Sequence, residues 1–214
     1  MIWQTTLLLA FASGLYSSTV VDRIAVTVGK HAIKSSDIDR DLRVTEFLNR
    51  EQQNLGSDAK RKSAERLIDQ VIIGDEIANG GYARPTDADA EALLKQLRQD
   101  RFAGSDARQR EALSLYGLTE DQLRAQLLWQ LEVLRFIDQR FRPGVLVTDE
   151  EVRTYYGQHR ADLGREYPQA NSFEALEPKI RASLEGERIN QNFVESIEEA
   201  RKRAHVRYLQ GAFE

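Results

Sequence analysis

Between Thr119 and Pro143 the chain carries a helical pattern that is apolar on two sides, and nothing else in it restricts the possible folds so much. Leu123, Leu127, Leu131, Leu134, Ile137 and Phe141 form one stripe, and Trp129, Val133 and Phe136 form another. Thr119 and Gln122 have the spacing of a capping box, and Pro143-Gly144 supplies the stop. A helix apolar on two sides must be covered on two sides. The pattern predicts a central helix with others packed around it.

The rest of the chain offers those partners. Ser35 or Ser36 caps a helix carrying Ile38, Leu42 and Val44 to Leu48; a second runs from about Ser57 to Asn79 and ends at Gly80-Gly81. Pro85-Thr86 opens a third with Ala90, Leu93, Leu94 and Leu97, and Ser105 caps a short fourth that stops at Gly117. Thr148 begins a helix reading TDEEVRTYYGQH. Residues 160–171 hold Gly164, Pro168 and Asn171 with little apolar periodicity, which predicts a linker. From Ser172 a long helix shows one apolar patch at Phe173, Leu176, Ile180 and Leu184, and another at Ile189, Phe193, Ile197, Ala200 and Ala204. Glu185 to Arg188 between them are polar, so this helix is expected to dock at both ends and stand exposed in the middle. Pro178 should kink it or mark its true start.

Apart from a short extended segment at Val145 to Val147, extended runs lie at the ends. Ile24, Val26 and Val28 alternate with Ala25 and Thr27, Gly29-Lys30 suits a two-residue turn, and His31 to Lys34 can return. His205 to Leu209 again looks extended. A lone hairpin is marginal in water, so the C-terminal strand is expected to complete it. The fold class is thus mostly α, a multi-helix domain with a small antiparallel sheet built from both ends of the chain.

Residues 1 to 21 carry no charged side chain, and Leu7 to Ala12 form an apolar centre. That centre is short for a spanning helix, which needs about 20 mostly apolar residues. It reads as a signal peptide over residues 1–18, with small residues at Ala10, Ala12 and Ser18 near possible cleavage points. No Lys or Arg precedes it, which leaves an uncleaved N-terminal membrane anchor or an ordinary buried segment as the alternatives. The expected location is the periplasm, with no membrane span in the mature chain.

Chemistry is hard to find. The absence of cysteine removes thiol nucleophiles, disulfide scaffolds and thiolate zinc sites. A formal charge of −4 with interspersed signs argues against a nucleic-acid partner. His31, His159 and His205 show no metal-binding spacing, and the sequence has no HExxH, phosphate-binding glycine loop or GxSxG elbow. No catalytic residue, metal or cofactor is assigned, and an enzyme is not expected. What stands out is apolar content beyond one stripe, which is either core or the lining of a groove for extended polypeptide. On the second reading, the client contacts are Leu115, Tyr116, Leu118, Trp129, Val133 and Phe136.

Several segments, taken in order, resemble a known family. VDRIAVTVGKHAIKSSDIDR, RLIDQVIIGDEIANGGYARPTDADAEALL, ALSLYGLTEDQLRAQLLWQLEVLRFI and VTDEEVRTYYGQH are similar to the N-terminal chaperone domain of the SurA and parvulin-type prolyl isomerase family. SFEALEPKIRASLEGERINQNFVESIEEARKRAHVRYL is similar to that family's C-terminal helix and closing strand. In the family a parvulin domain lies between the last two segments. Here only residues 160–171 fill that gap, against the roughly 50 of a small domain. The resemblance implies a chaperone region at 19–159, a linker at 160–171, and a helix and strand at 172–214 completing the same domain. The implied function is a periplasmic, ATP-independent holdase for unfolded envelope or outer-membrane proteins. The alternatives are a prolyl isomerase in family name with little or no activity, or an adaptor for one folded partner. A monomer or a domain-swapped dimer is compatible with this organisation.

Overall fold

The computed structural model describes residues 22–170 and 172–213, so the expected leader at 1–18 lies outside the described residues. In chain order the elements are β1 (Ile24–Val28), β2 (His31–Lys34), α1 (Ser35–Asn49), α2 (Ser57–Gly80), α3 (Asp87–Phe102) and α4 (Asp106–Leu115). After these come α5 (Glu120–Phe141), a 3-10 turn at Arg142–Gly144, α6 (Asp149–Glu166), α7 (Phe173–Arg203) and β3 (Val206–Tyr208). The protein is mostly α with one small sheet.

That sheet has the order β2-β1-β3 and is antiparallel throughout, so both ends of the described chain meet on β1. Val26 lies opposite Ile33 and Tyr208, while Thr27 lies opposite Ala32 and Arg207. Val26, Val28 and Ile33 are buried and Ala32 and Arg207 exposed, as in a sheet covered on one face, while Ala25 is buried too, beside the register shift between Ile24 and Val26. Contacts to α2 mark the covered side: His31 Nε2 lies 3.1 Å from Asp75 Oδ1, and the Tyr208 hydroxyl donates to Glu65. Gly29, at φ +54°, supplies the left-handed residue that the tight β1–β2 turn requires.

Helix starts follow local chemistry. The side chains of Thr86, Ser105, Thr119, Thr148 and Ser172 each accept a hydrogen bond from a backbone N–H in the first turn of their helix. α1 differs from expectation. Its cap position is Lys34, whose N–H donates to Asp37 Oδ2 at 2.9 Å, while the Ser36 hydroxyl donates to Asp22 Oδ2 at 2.6 Å. This bond first, with help from the Ser36 N–H and Lys34, holds the Asp22 carboxyl below its usual range. A carboxylate arriving from outside the helix has drawn the serine away from a capping role.

Among the described residues, three apolar clusters hold the fold together. The largest joins the sheet to Ile68, Ile72, Ile73 and Ile77 of α2, Phe136 and Phe141 of α5, and Ile189 and Ile197 of α7. A second unites Val44, Phe47, Leu94, Leu113, Leu118, Leu123 and Leu127. The two apolar sides of α5 are thus satisfied largely along its length, its first half in one cluster and its second half in the other. Leu134 is the exception to the predicted stripe: it is 63% exposed, with no described element over it.

The third cluster lies between α6 and the start of α7, with Val147, Val152, Leu163, Leu176 and Ile180 buried. It corrects the expected linker at 160–171. α6 runs on to Glu166 through a break at His159 (φ −112°, ψ 16°), because Leu163 gives its last turns an anchor in this cluster. Only residues 167–172 separate the two helices. α7 passes through Pro178 without ending; the carbonyl that loses its partner there belongs to Glu174, in the exposed first turn. The two patches of α7 dock as expected, one here and one in the main core.

Candidate functional site

The six residues named as client contacts do not form one surface. Phe136 is 1% exposed at the centre of the main core, ringed by Tyr82, Phe141 and Phe193, and Leu118 is 7% exposed in the second cluster. Both are core residues, Phe136 because its face of α5 closes onto neighbouring helices and Leu118 because the α4–α5 connection folds it into the second cluster. Leu115, at the end of α4, is 74% exposed. Tyr116 is half-buried, with its ring edge-on to Phe47 and its hydroxyl donating to the Glu51 carbonyl at 2.8 Å. Val133 and Trp129 are half-buried against the main core. Of the six, Trp129 alone lines the groove that follows.

That groove, about 460 Å³ in volume, lies where α1, α2 and the first half of α5 diverge. Val44, Leu67, Ala125 and Trp129 give it apolar walls. Gln122, Gln126 and Trp129 stand on one face of α5 because they follow at i, i+4 and i+7. From α1 come Asp37, Arg40 and Asp41, and from α2 comes Gln70. A smaller recess of about 250 Å³ adjoins it, sharing Arg40 and Gln122 and reaching Ser36, Arg43 and Leu118. Gly117 sets its limit: at φ +63° it accepts the αL turn, and a Cβ there would stand 3.3 Å from Arg43 Nη1.

Most charges around the groove are already matched. Asp37 Oδ1 lies 2.6 Å from Arg40 Nη2. The nearly buried Asp41 accepts from Arg66 Nη2 at 2.6 Å and from the Ser63 hydroxyl at 2.7 Å, which ties α1 to α2 beneath the groove. Asp121, exposed at the mouth, has no ion-pair partner among the described residues. The outcome is a mostly apolar concavity whose charges are matched except for Asp121 at its mouth, within the size range of ligand sites. Its polar members escaped the sequence reading. The i, i+4, i+7 spacing on α5 was the available signal, but a gap between three helices leaves no trace in any one of them.

Among the described residues no group of His, Asp and Glu side chains converges as metal ligands would, and no helix is long and apolar enough to cross a membrane. His31 faces Asp75 and His159 stacks on Tyr155 with ring centroids 4.2 Å apart. The sequence matches no known protein-family model, and no curated protein matches it.

Proposed function

We propose that this chain is a non-enzymatic, ATP-independent holdase, exported to the periplasm, that binds unfolded segments of envelope proteins, outer-membrane proteins among them. The observation that carries the reading is the groove beside Trp129: open, mostly apolar, with its inner charges matched, and edged by polar side chains that keep an occupied surface soluble. Resemblance of the segments quoted above to the SurA chaperone region supports it. So does the shortness of the connection at 167–172, far below the roughly 50 residues of a small catalytic domain.

The test is aggregation of a urea-unfolded outer-membrane protein diluted into buffer. Equimolar protein is expected to delay turbidity, and Gln126→Arg, which projects a long cation into the groove, is expected to weaken the delay while leaving the thermal midpoint unchanged. No delay at any ratio sinks the proposal. Proline isomerisation of a short peptide above the uncatalysed rate would overturn its non-enzymatic part.

A further inference from the structure

Gln70 and Gln126 line the groove on opposite walls, half-buried, and neither side-chain amide has a hydrogen-bond partner among the described residues. Gln122, one turn before Gln126, accepts from the Thr119 N–H at 2.9 Å and keeps its own NH₂ free. A primary amide presents two donors and a two-lone-pair acceptor, so it can pair with both the C=O and the N–H of a peptide unit. The carboxylates deeper in the groove are held by Arg40 and Arg66. The one charge left unmatched is Asp121, exposed at the mouth, so nothing inside the groove attracts a charged ligand strongly. The complementary occupant is neutral, carries donors and acceptors in alternation, and offers apolar side chains to Val44, Leu67 and Trp129.

An extended main chain has that description. We infer that the groove reads the backbone of an extended polypeptide through Gln70 and Gln126, with Trp129 receiving one apolar side chain. The inference rests on the proposed function and specifies how its site chooses a client. Dimensions agree: Gln122 to Trp129 spans about 10 Å of helix, the length of about three extended residues. Selection then follows from physics and not from client sequence. In a folded protein more than nine in ten buried backbone polar groups are already paired, whereas an unfolded segment presents its backbone groups free of protein partners. Amide recognition of the main chain is therefore tolerant of sequence and intolerant of structure.

Trp129 is the chain's one tryptophan beyond Trp3, so in a Trp3→Phe background its emission reports the groove directly. The experiment titrates the full-length protein with an unstructured, uncharged nine-residue peptide of Leu, Thr and Ala, and with the same peptide N-methylated at alternate backbone positions. The methylated peptide is expected to bind about tenfold more weakly, as loss of one or two hydrogen bonds would give. In the double variant Gln70→Leu with Gln126→Leu, affinity for the parent peptide should fall about tenfold and the difference between the two peptides should vanish. Equal binding of both peptides to the unaltered protein overturns backbone reading and leaves the holdase proposal intact, as does binding of neither peptide with protection against aggregation retained. Binding of neither, with no protection, overturns the holdase proposal as well.

Discussion

Arg201, near the end of α7, places Nη1 2.5 Å from Asp69 Oδ1 on α2 and Nη2 against Glu65, which also accepts from the Tyr208 hydroxyl. One guanidinium thus joins the last helix, the last strand and α2. Burial pushes the Asp69 carboxyl above its usual range, outweighing the nearby Arg201. The folded state then holds that proton more tightly than the unfolded chain, and an ionised Asp69 subtracts from stability near neutral pH. Arg201→Met, which strands two carboxylates, should cost about 1 to 2 kcal/mol in urea denaturation. Asp69→Asn should cost less than about 0.5 kcal/mol. The reverse order would contradict the assignment.

Phe136 has edge-to-face neighbours at 5.0 Å (Tyr82) and 5.7 Å (Phe141). Truncating so fully buried a ring leaves a cavity. Phe136→Ala should destabilise by about 3 to 5 kcal/mol. Leu115→Ala, at a position 74% exposed, should change stability by less than about 0.5 kcal/mol. Chemical denaturation of the two variants separates core from surface among the residues first grouped together as client contacts.

What could be read from sequence was local. Thr86, Ser105, Thr119, Thr148 and Ser172 cap helices through side chain to backbone bonds spanning three residues, so sequence spacing was enough. The β1–β3 pairing was legible because a hairpin without a third strand is unstable and His205 to Leu209 is a longer extended run than Val145 to Val147. Failures came where a distant residue decides. Ser36 answers to Asp22, and residues 160–166 are helical through the single anchor Leu163. Leu134 has the spacing of a core residue but lies where no element passes. Within the site, Trp129 was legible as surplus apolar surface; the glutamines beside it were not, since long polar side chains on a helix are ordinarily solvated.

At the start of α6, Glu151 is bonded by Arg188 and by the N–H and hydroxyl of Thr148, and these contacts, Arg188 foremost, hold its carboxyl down to about 2. A depressed folded value means that its contribution is complete above the unfolded value of 4.5 and is lost as the pH falls through about 2. NMR titration of the Glu151 side-chain carboxyl should therefore show it still ionised at pH 3.5, with the Thr148 amide protected from exchange. A midpoint near 4.5 would show that the Arg188 and Thr148 contacts do not hold in solution.

The connection between α6 and α7 provides a geometric test. Pro168 and Gln169 are exposed, and the buried members of the cluster beneath come from the helices and Val147, with Tyr167 and Ala170 of the turn packed only at its edge. Arg181 clamps that segment by donating to the Val147 carbonyl at 2.7 Å. Ten Gly and Ser residues inserted between Pro168 and Gln169 lengthen a flexible loop and should cost about 1 kcal/mol, since closure entropy grows only with the logarithm of length. Two residues inserted between Glu185 and Gly186 act differently. Each helical residue turns the axis by about 100°, so Ile189, Phe193 and Ile197 would rotate to the far side of α7 while Leu176 and Ile180 stayed docked. One patch or the other must then leave its cluster, and release of the second frees β3 from β1. Amide exchange at Thr27 and Arg207, which lie opposite each other across β1 and β3, should remain slow in the first variant and become fast in the second.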